Sequence, residues 1–299
     1  MADPVLRAAT RGSPLALWQA THVAGLIATA LPGLTVEVVV VDTEGDRRLD
    51  VPISTFGGKG IFAKEVQQAV LDGQADFAVH SLKDLPSVPL PGLALAAVPE
   101  RGEVRDALVG ATLAELPAGA TVATGSQRRR VQLAQIRPDL QFAELRGNMA
   151  TRLSKVPEGG AIVVAAVALQ RLRLAEHLSE VLSADEVVPQ VGQGALALEC
   201  REDDDVVRQL LAFVEHAETR RCVDAERAFL AELGGDCDLP AGAHAVLATA
   251  PDGTEALQLS AILATEGSAA GRLHRHRAFG DDPVALGTQV ARHLRAELG

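Results

Sequence analysis

Two stretches of this 299-residue chain alternate short apolar segments with amphipathic segments of helical period. In residues 1–100 three apolar segments predict strands, with a helix after the first and the second: VLRAA, TVEVVVV and ADFAVHS. Ser13 is predicted to cap the first helix and Pro14 to begin it, with Leu17 on its buried side. TVEVVVV is predicted to be buried on both faces. This order predicts a parallel sheet covered by helices.

The same alternation starts again after residue 100. The segments ATVATGS, LQFAEL and AIVVAA read as strands, and each leads into a helix, which predicts a second α/β domain over 101–189. GALALEC reads as a further strand that returns to the first sheet, so the first domain is predicted to comprise 1–100 and 190–215.

Residues 216–299 have a different pattern. A helix, TRRCVDAERAFLAEL, precedes a turn, and two strand-like segments then flank PDGT as a hairpin. A third strand, GRLHRHRAF, and a last helix complete the segment. The pattern predicts a small α+β domain.

Composition narrows the class of partner. A net charge of −11, an aromatic content of 3% and the absence of tyrosine argue against nucleic-acid binding. The apolar runs are shorter than the roughly 20 residues that a bilayer span needs, and the first residues resemble neither a secretory signal nor a transit peptide. We therefore expect a cytoplasmic protein without membrane contact.

The cysteines and histidines do not form a metal pattern. The three cysteines, Cys200, Cys222 and Cys237, have no C-x-x-C spacing, so we expect reduced thiols and neither a disulfide framework nor a zinc site. His274 and His276 lie on one side of a predicted strand without a third ligand at metal spacing, so no metal is expected.

Cationic and polar side chains follow several predicted strands, where helix N-termini offer unpaired N–H groups. Each arginine taken alone also fits a solvated helix face or a surface ion pair. Together they favour a cleft for a ligand with several carboxylates or phosphates. The residues are Arg11, Ser13, His80, Ser81, Lys83 and Asp84 in the first domain, with a glycine-rich turn around Lys59, and Thr124, Ser126, Arg128, Arg129, Arg146, Arg152 and Arg171 in the second.

Two of these residues have open alternatives. Asp84 either stays ionised beside Lys83 and holds a pyrrole or amine N–H, or forms an Asx turn before Pro86. The apolar strand around His80 favours a core histidine with satisfied polar atoms over a metal ligand.

Cys237 stands in the open turn LGGDCDLPAG, between two aspartates. It is either an incidental loop thiol or a reactive one. A cysteine nucleophile of a hydrolase needs an oriented histidine base, and no motif near Cys237 supplies one. The context therefore suits a permanent covalent attachment better than turnover.

Several ordered blocks between about residues 5 and 245 resemble the porphobilinogen deaminase (hydroxymethylbilane synthase) family. The resemblance implies two α/β domains like type II periplasmic binding proteins plus a small C-terminal α+β domain. It also implies a monomeric transferase that condenses four porphobilinogen molecules head to tail, releases ammonia and hydrolyses off hydroxymethylbilane. The blocks are TRGSPLALWQA, GGKGIFAKEVQQAVLDGQADFAVHSLKDLPS, RDALVG, TGSQRRRVQL, LRGNMATRLSKV, VALQRL, VGQGALALECR and ERAFLAELGGDC.

The same resemblance assigns roles to residues. Asp84 matches the catalytic aspartate, and Cys237 matches the cysteine that carries a dipyrromethane cofactor through a thioether. The other cofactor-binding matches are Ser81, Lys83, Thr124, Ser126, Arg128, Arg129, Arg146 and Gly147, the substrate-binding matches are Arg11, Ser13, Arg152, Arg171 and Gln193, and Lys59 and Phe62 match a mobile lid.

The chain departs from the family pattern at two positions. Thr55 stands where a lysine is common, so one contact of the lid is in doubt, and Asp236 replaces a glycine before Cys237. A competing class is a noncatalytic anion-binding protein with the periplasmic-binding architecture, which gives Cys237 no role.

Overall fold

The structure is a computed structural model that describes residues 4–43, 63–234, 240–265 and 272–298. The chain divides into two compact units, Met1–Gly102 with Gly194–Arg220 and Glu103–Gln193 with Arg221–Gly299. The finer division into three domains, at the boundaries given above, stays a prediction.

Strands and helices alternate along most of the chain. The strands are β1 (Val5–Arg11), β2 (Thr35–Val41), β3 (Phe77–Ser81), β4 (Leu93–Ala97), β5 (Asp106–Val109), β6 (Thr121–Ala123), β7 (Gln141–Ala143), β8 (Ala161–Ala165), β9 (Glu180–Val181), β10 (Leu196–Arg201), β11 (Ala241–Thr249), β12 (Glu255–Ala264) and β13 (Leu273–Gly280). The α-helices are α1 (Pro14–Ala30), α2 (Lys64–Leu71), α3 (Gln127–Ile136), α4 (Met149–Leu153), α5 (Ala166–Arg171), α6 (Asp205–Ala212), α7 (Ala217–Glu232) and α8 (Pro283–Leu298).

The first unit contains a five-stranded sheet in the order β2-β1-β3-β10-β4. β1 pairs in parallel with β2 and β3, whereas β10 runs antiparallel to β3 and β4. The prediction that GALALEC returns to this sheet is confirmed, but the sheet is mixed rather than parallel. β2 lies at an edge with Val40 57% exposed, so its predicted burial on both faces is wrong.

Helix α1 begins as its sequence predicts. The Ser13 hydroxyl accepts a hydrogen bond from the Ala16 amide at 3.3 Å, and Pro14 occupies the first turn, where a missing N–H costs nothing. The predicted buried side is wrong at one position, because Leu17 is 36% exposed whereas Gln19 is 2% exposed. A polar side chain therefore occupies part of the face that packs on the sheet.

The second unit contains two sheets. One has the order β7-β6-β8-β5-β9, in which β6 is parallel to β7 and β8, and β5 is antiparallel to β8 and β9. The other is an antiparallel sheet in the order β11-β12-β13, whose apolar core includes Phe229 of α7 and Val290 of α8. The predicted α/β class and the C-terminal α+β segment are confirmed.

Because β6, β7 and β8 are parallel, the turns after them meet at one edge of their sheet.

Every helix in the described ranges is too short or too polar to cross a bilayer.

Candidate active site

A pocket lies where β1 and β3 end in the first unit. It brings together five of the residues predicted to lie in the cleft, because the carboxyl ends of neighbouring parallel strands meet at one edge of a sheet. The lining residues are Thr10, Arg11, Ser13, Leu15, Ala16, Gln19, Val79, His80, Ser81 and Asp84.

The turn from β1 into α1 forms one wall of this pocket. Thr10 is fully buried and donates its hydroxyl to the Ala16 carbonyl at 3.3 Å. Gln19 donates to the Ser81 hydroxyl at 2.7 Å and so links α1 to the end of β3. Gln19 was not among the predicted site residues, because its partner Ser81 lies 62 residues away and the helical pattern of α1 does not indicate this contact.

Asp84 and Lys83 lie on a short 3₁₀ turn, Leu82–Asp84, directly after β3. Leu82 anchors this turn, since its side chain is buried and its amide donates to the Ala195 carbonyl at 3.0 Å. The anchored backbone presents the Asp84 carboxylate to the pocket that Arg11 also lines. A carboxylate that lines a pocket together with hydroxyl groups can hold N–H donors and stabilise positive charge.

In the second unit, the predicted residues after β6 form the N-terminus of α3. The Thr124 hydroxyl accepts from the Ser126 amide at 3.1 Å, and the Ser126 hydroxyl caps the helix by accepting from the Arg129 amide at 3.5 Å. Gly125 permits the close approach of the next turn, because an added Cβ would lie 3.1 Å from the Leu145 carbonyl oxygen.

Arg128 and Arg129 both bind the carboxylate of Asp106. Each guanidinium lies 2.7 Å from one oxygen of that carboxylate, and Arg128 also donates to the Val188 carbonyl at 2.6 Å. Arg128 is 3% exposed, so the structure places it in the interior rather than on an open face. Asp106, which opens the strand in the block RDALVG, was not among the predicted site residues.

The environment of Asp106 keeps it ionised. Burial by itself raises the pKa of this carboxyl, but the charges of Arg128 and Arg129 and hydrogen bonds from Arg129 and Gln193 hold its pKa well below the usual range. Gln193, predicted as a substrate contact, is fully buried and donates to Asp106 at 2.8 Å. Its assigned contact with substrate stays a prediction.

Arg129 retains an unused donor. Its Nε is buried without a hydrogen-bond partner, although one Nη binds Asp106 and the other donates to the Val163 carbonyl at 3.1 Å. An unsatisfied buried donor costs free energy. A ligand atom that accepted a hydrogen bond from this Nε would remove that cost.

The turn after β7 carries three further predicted residues, Arg146, Gly147 and Arg152. Gly147 has φ +116°, and an added Cβ would lie 2.7 Å from Thr151, so this position requires glycine. Its carbonyl accepts from the Arg152 Nε at 2.8 Å, and Asn148 caps α4 by accepting from the Thr151 amide at 3.0 Å. These bonds fix the turn that holds Arg146.

Arg171 ends α5, the helix that follows β8. Burial lowers the pKa of its guanidinium to about 10. The side chain therefore stays charged at neutral pH. Because β8 is parallel to β6, helix α5 begins at the same edge of the sheet as α3, and Arg171 lies at its other end.

Several positions named in the sequence lie outside the described residues. They are Lys59, Phe62 and Cys237, together with the two departures from the family pattern, Thr55 and Asp236. Cys200 and Cys222 are buried and free of disulfide bonds. Burial raises the pKa of the Cys200 thiol to about 11, which keeps it protonated and unreactive at neutral pH.

Comparison with known proteins decides the family. The model described as porphobilinogen deaminase, dipyromethane cofactor binding domain, matches residues 6–209, and the porphobilinogen deaminase C-terminal domain matches residues 220–296. The chain belongs to the porphobilinogen deaminase family.

Two curated relatives named porphobilinogen deaminase agree with this membership. One, from Syntrophotalea carbinolica, is 50% identical over 253 residues, which are 83% of this chain and 80% of the relative. The other, from Nitratidesulfovibrio vulgaris, is 51% identical over 255 residues, which are 84% of this chain and 80% of the relative.

Outside the porphobilinogen deaminase family, the chain is similar to the solved structure of the methionine binding protein MetQ. The sequences are 14% identical, and the similarity covers 72% of this chain and 92% of that one. The TM-score is 0.45, so this likeness carries no argument about activity.

Proposed function

We propose that this chain joins porphobilinogen molecules head to tail on a covalently held dipyrromethane primer, releases ammonia at each addition and then hydrolyses off hydroxymethylbilane. The observation that carries the proposal is the match of the cofactor-binding domain over residues 6–209. It agrees with a pocket in which Arg11, Ser13, Ser81 and Asp84 lie together.

The donor set fits a dipyrromethane. Each pyrrole ring bears an acetate and a propionate, which need cations and N–H donors, and the unpartnered Nε of Arg129 beside the Ser126 cap is such a donor. We propose that Cys237 forms the covalent bond to the dipyrromethane. The carboxylates of this group are bound by Lys83, Ser81, Thr124, Ser126, Arg128, Arg129, Arg146 and Gly147. When bound, this group supplies the free pyrrole carbon to which the first substrate is joined.

Asp84 acts on the reacting substrate. When ammonia leaves porphobilinogen, the ring and its methylene carry positive charge, and the nearby carboxylate stabilises that charge while it accepts the pyrrole N–H. A fixed carboxylate lowers the barrier because it is oriented before the charge forms. The anchored turn at Leu82 provides this orientation.

The remaining predicted residues bind the substituents of the substrate. We assign these contacts to the cations Arg11, Arg152 and Arg171 and to the neutral side chains of Ser13 and Gln193. Bidentate guanidinium contacts fix both the position and the orientation of a carboxylate, which suits a ring that carries two of them. These contacts also account for a concentration of cations in a chain with a net charge of −11.

We further propose that the protein works as a monomer in the cytoplasm, and that it binds neither nucleic acid nor membrane. The acidic net charge supports weak interaction with polyanions. Lys59 and Phe62 are assigned to a lid over the substrate, and no metal takes part in the reaction.

Intact mass tests the proposal against the competing class, a noncatalytic anion-binding protein. We expect the purified chain to be heavier than its sequence by one dipyrromethane. After incubation with porphobilinogen, uroporphyrin I should form from the released product. A mass equal to that of the sequence, together with no product, would favour the binding protein.

A further inference from the structure

Gln19 is a buried polar side chain of the pocket to which the mechanism above gives no task. It is 2% exposed and lies one helical turn from the buried Ala16 and Val23, on the face of α1 that packs on the sheet. Burying an amide there costs free energy unless its polar atoms are bonded, so an apolar residue would serve packing better. Its Nε2 donates to the Ser81 hydroxyl at 2.7 Å, and both residues line the pocket with Asp84.

Strand β3 turns the Ser81 hydroxyl toward α1. Side chains alternate between the two faces of a strand, and the ring of the preceding residue, His80, lies on the other face, with its Nε2 3.2 Å from Oε2 of Glu199. His80 is buried as expected, but its Nε2 has no hydrogen-bond partner among the described residues, so the expectation of satisfied polar atoms is wrong. Of these two residues, Ser81 presents its side chain to the pocket.

Regular secondary structure sets the positions of both partners. The start of α1 is fixed, since Ser13 caps the helix and the Thr10 hydroxyl donates to the Ala16 carbonyl. Ser81 pairs with Leu196, and its strand lies between β1 and β10 in the sheet. The Ser81 hydroxyl is therefore held in place before a ligand binds.

The bond from Gln19 decides in which direction the Ser81 hydroxyl can donate. A hydroxyl group has one proton and two lone pairs. Because Gln19 donates to one lone pair, the proton of the hydroxyl has to point elsewhere, and no residue in the described ranges accepts it. Donation by the amide also polarises the O–H bond, which makes Ser81 a stronger donor to an anion.

We propose that Gln19 is a positioning residue that fixes the Ser81 hydroxyl as a donor to one carboxylate of the dipyrromethane. This assignment rests on the proposed function and deepens it. Ser81 then holds an acetate or propionate of this group, while Asp84 acts on the reacting ring. A held carboxylate limits the movement of the group relative to Asp84, so Gln19 affects the rate without contacting the substrate.

Melting temperature tests this assignment without turnover. Cys237→Ser should lack the cofactor, so the difference in melting temperature between the unsubstituted protein and Cys237→Ser measures how much the cofactor stabilises the fold. Gln19→Met keeps a long side chain but removes the donor. We expect Gln19→Met, with its cofactor confirmed by intact mass, to reduce this difference by about 2–4 °C, because the Ser81 hydroxyl loses its fixed direction.

Pyrrole addition, followed by intact mass, provides a second readout. Gln19→Met should lower kcat about 10-fold and leave KM for porphobilinogen unchanged, since the contacts of the free substrate are not altered. Ser81→Ala should have the same effects, and the double variant should be no slower than Ser81→Ala alone. Gln68→Met is the matched control, because this exposed amide of α2 donates to Asp72 at 2.7 Å, and it should change neither readout.

Two results would overturn the assignment. If Gln19→Met lowers the melting temperature equally with and without the cofactor, Gln19 is a packing residue. If KM rises while the temperature difference is unchanged, the carboxylate bound at Ser81 belongs to the incoming porphobilinogen. Ser81→Ala provides the same comparisons if Gln19→Met does not fold. If the unsubstituted protein has the mass of its sequence and adds no pyrrole, the proposed function itself fails, which is a distinguishable result.

Discussion

Asp106 and Arg128 form a fully buried ion pair, with Nη2 of the arginine 2.7 Å from Oδ2 of the aspartate. Removing one partner leaves the other charge in the interior, where it costs far more than at the surface. Asp106→Asn should therefore lower the free energy of unfolding at pH 7 by about 3–5 kcal/mol, measured by urea denaturation. Asp203→Asn, at an exposed carboxylate, is the matched control and should change stability little.

The same pair predicts a pH dependence. Because the folded state lowers the pKa of Asp106, its stabilising contribution is fully present above the unfolded pKa of about 3.9 and is lost as the pH falls toward the folded value. The difference in the free energy of unfolding between the unsubstituted protein and Asp106→Asn should therefore become smaller below about pH 4. A constant difference down to pH 2 would contradict the lowered pKa.

Gly242 approaches the segment before Gln193 too closely to carry a side chain. An added Cβ would lie 2.7 Å from the Pro189 carbonyl oxygen and 2.9 Å from Cδ of Arg128. Gly242→Ala should therefore destabilise the protein by about 1–3 kcal/mol, since backbone has to move. Thermal unfolding measures this change.

Gly25 provides the opposite control. It lies inside α1, and an added Cβ would meet no atom within 4 Å. Gly25→Ala should stabilise the protein by about 0.5–1 kcal/mol, because glycine loses more backbone entropy than alanine in a helix. Equal effects of the two substitutions would show that the close contact at Gly242 does not matter.

Local chemistry explains why parts of the fold and site were predictable. Ser13 and Pro14 start α1 through interactions within a few residues, and the sequence contains all of them. Leu17 and Gln19 were not predictable in the same way, because the partner of Gln19 is Ser81, 62 residues away. Helical period indicates an apolar face but not a polar contact inside it.

Arg128 and Arg129 show even more clearly that local sequence does not reveal distant partners. Their type and position after β6 predict anion binding, yet the sequence does not reveal that a strand 22 residues earlier supplies the Asp106 carboxylate to Arg128. An arginine selected to bind ligand and one selected to bind a buried carboxylate have the same local pattern. Only the sheet order, which places β5 beside β8, distinguishes them.

Asp84→Ala tests the assigned catalytic residue. The variant should keep its dipyrromethane, because other residues hold that group, but should release ammonia about 10²-fold more slowly or worse. Mass spectrometry checks the cofactor, and an ammonia assay checks the rate. Asp203→Ala is the control, and normal turnover by folded Asp84→Ala would remove Asp84 from the mechanism.

The number of titratable thiols tests the attachment at Cys237. In the native protein Cys200 and Cys222 should react slowly with a disulfide reagent because both are buried. After denaturation two thiols should react if a thioether occupies Cys237, and three if it does not. Cys237→Ser should also give two thiols after denaturation, but without the added mass. Three reactive thiols in the denatured unsubstituted protein would place the cofactor elsewhere.

His276 predicts a second, milder pH dependence in the C-terminal segment. Its ring stacks on that of His293 with centroids 3.8 Å apart, and burial followed by the charge of His293 lowers its pKa, while Glu297 opposes this shift. A lowered folded pKa means that the unfolded chain binds a proton first, so stability falls as the pH drops below about 6.5.

His276→Asn removes this group without changing the strand, so its melting temperature should fall less than that of the unsubstituted protein between pH 7.5 and pH 5.5. His274 and His293 also contact Glu297, at 3.2 Å each, and they remain in the variant as a common background. His177→Asn controls for the loss of an exposed imidazole. If the melting temperatures of both variants fall as much as that of the unsubstituted protein, protonation of His276 does not cause the loss of stability. The carboxylates would then account for it.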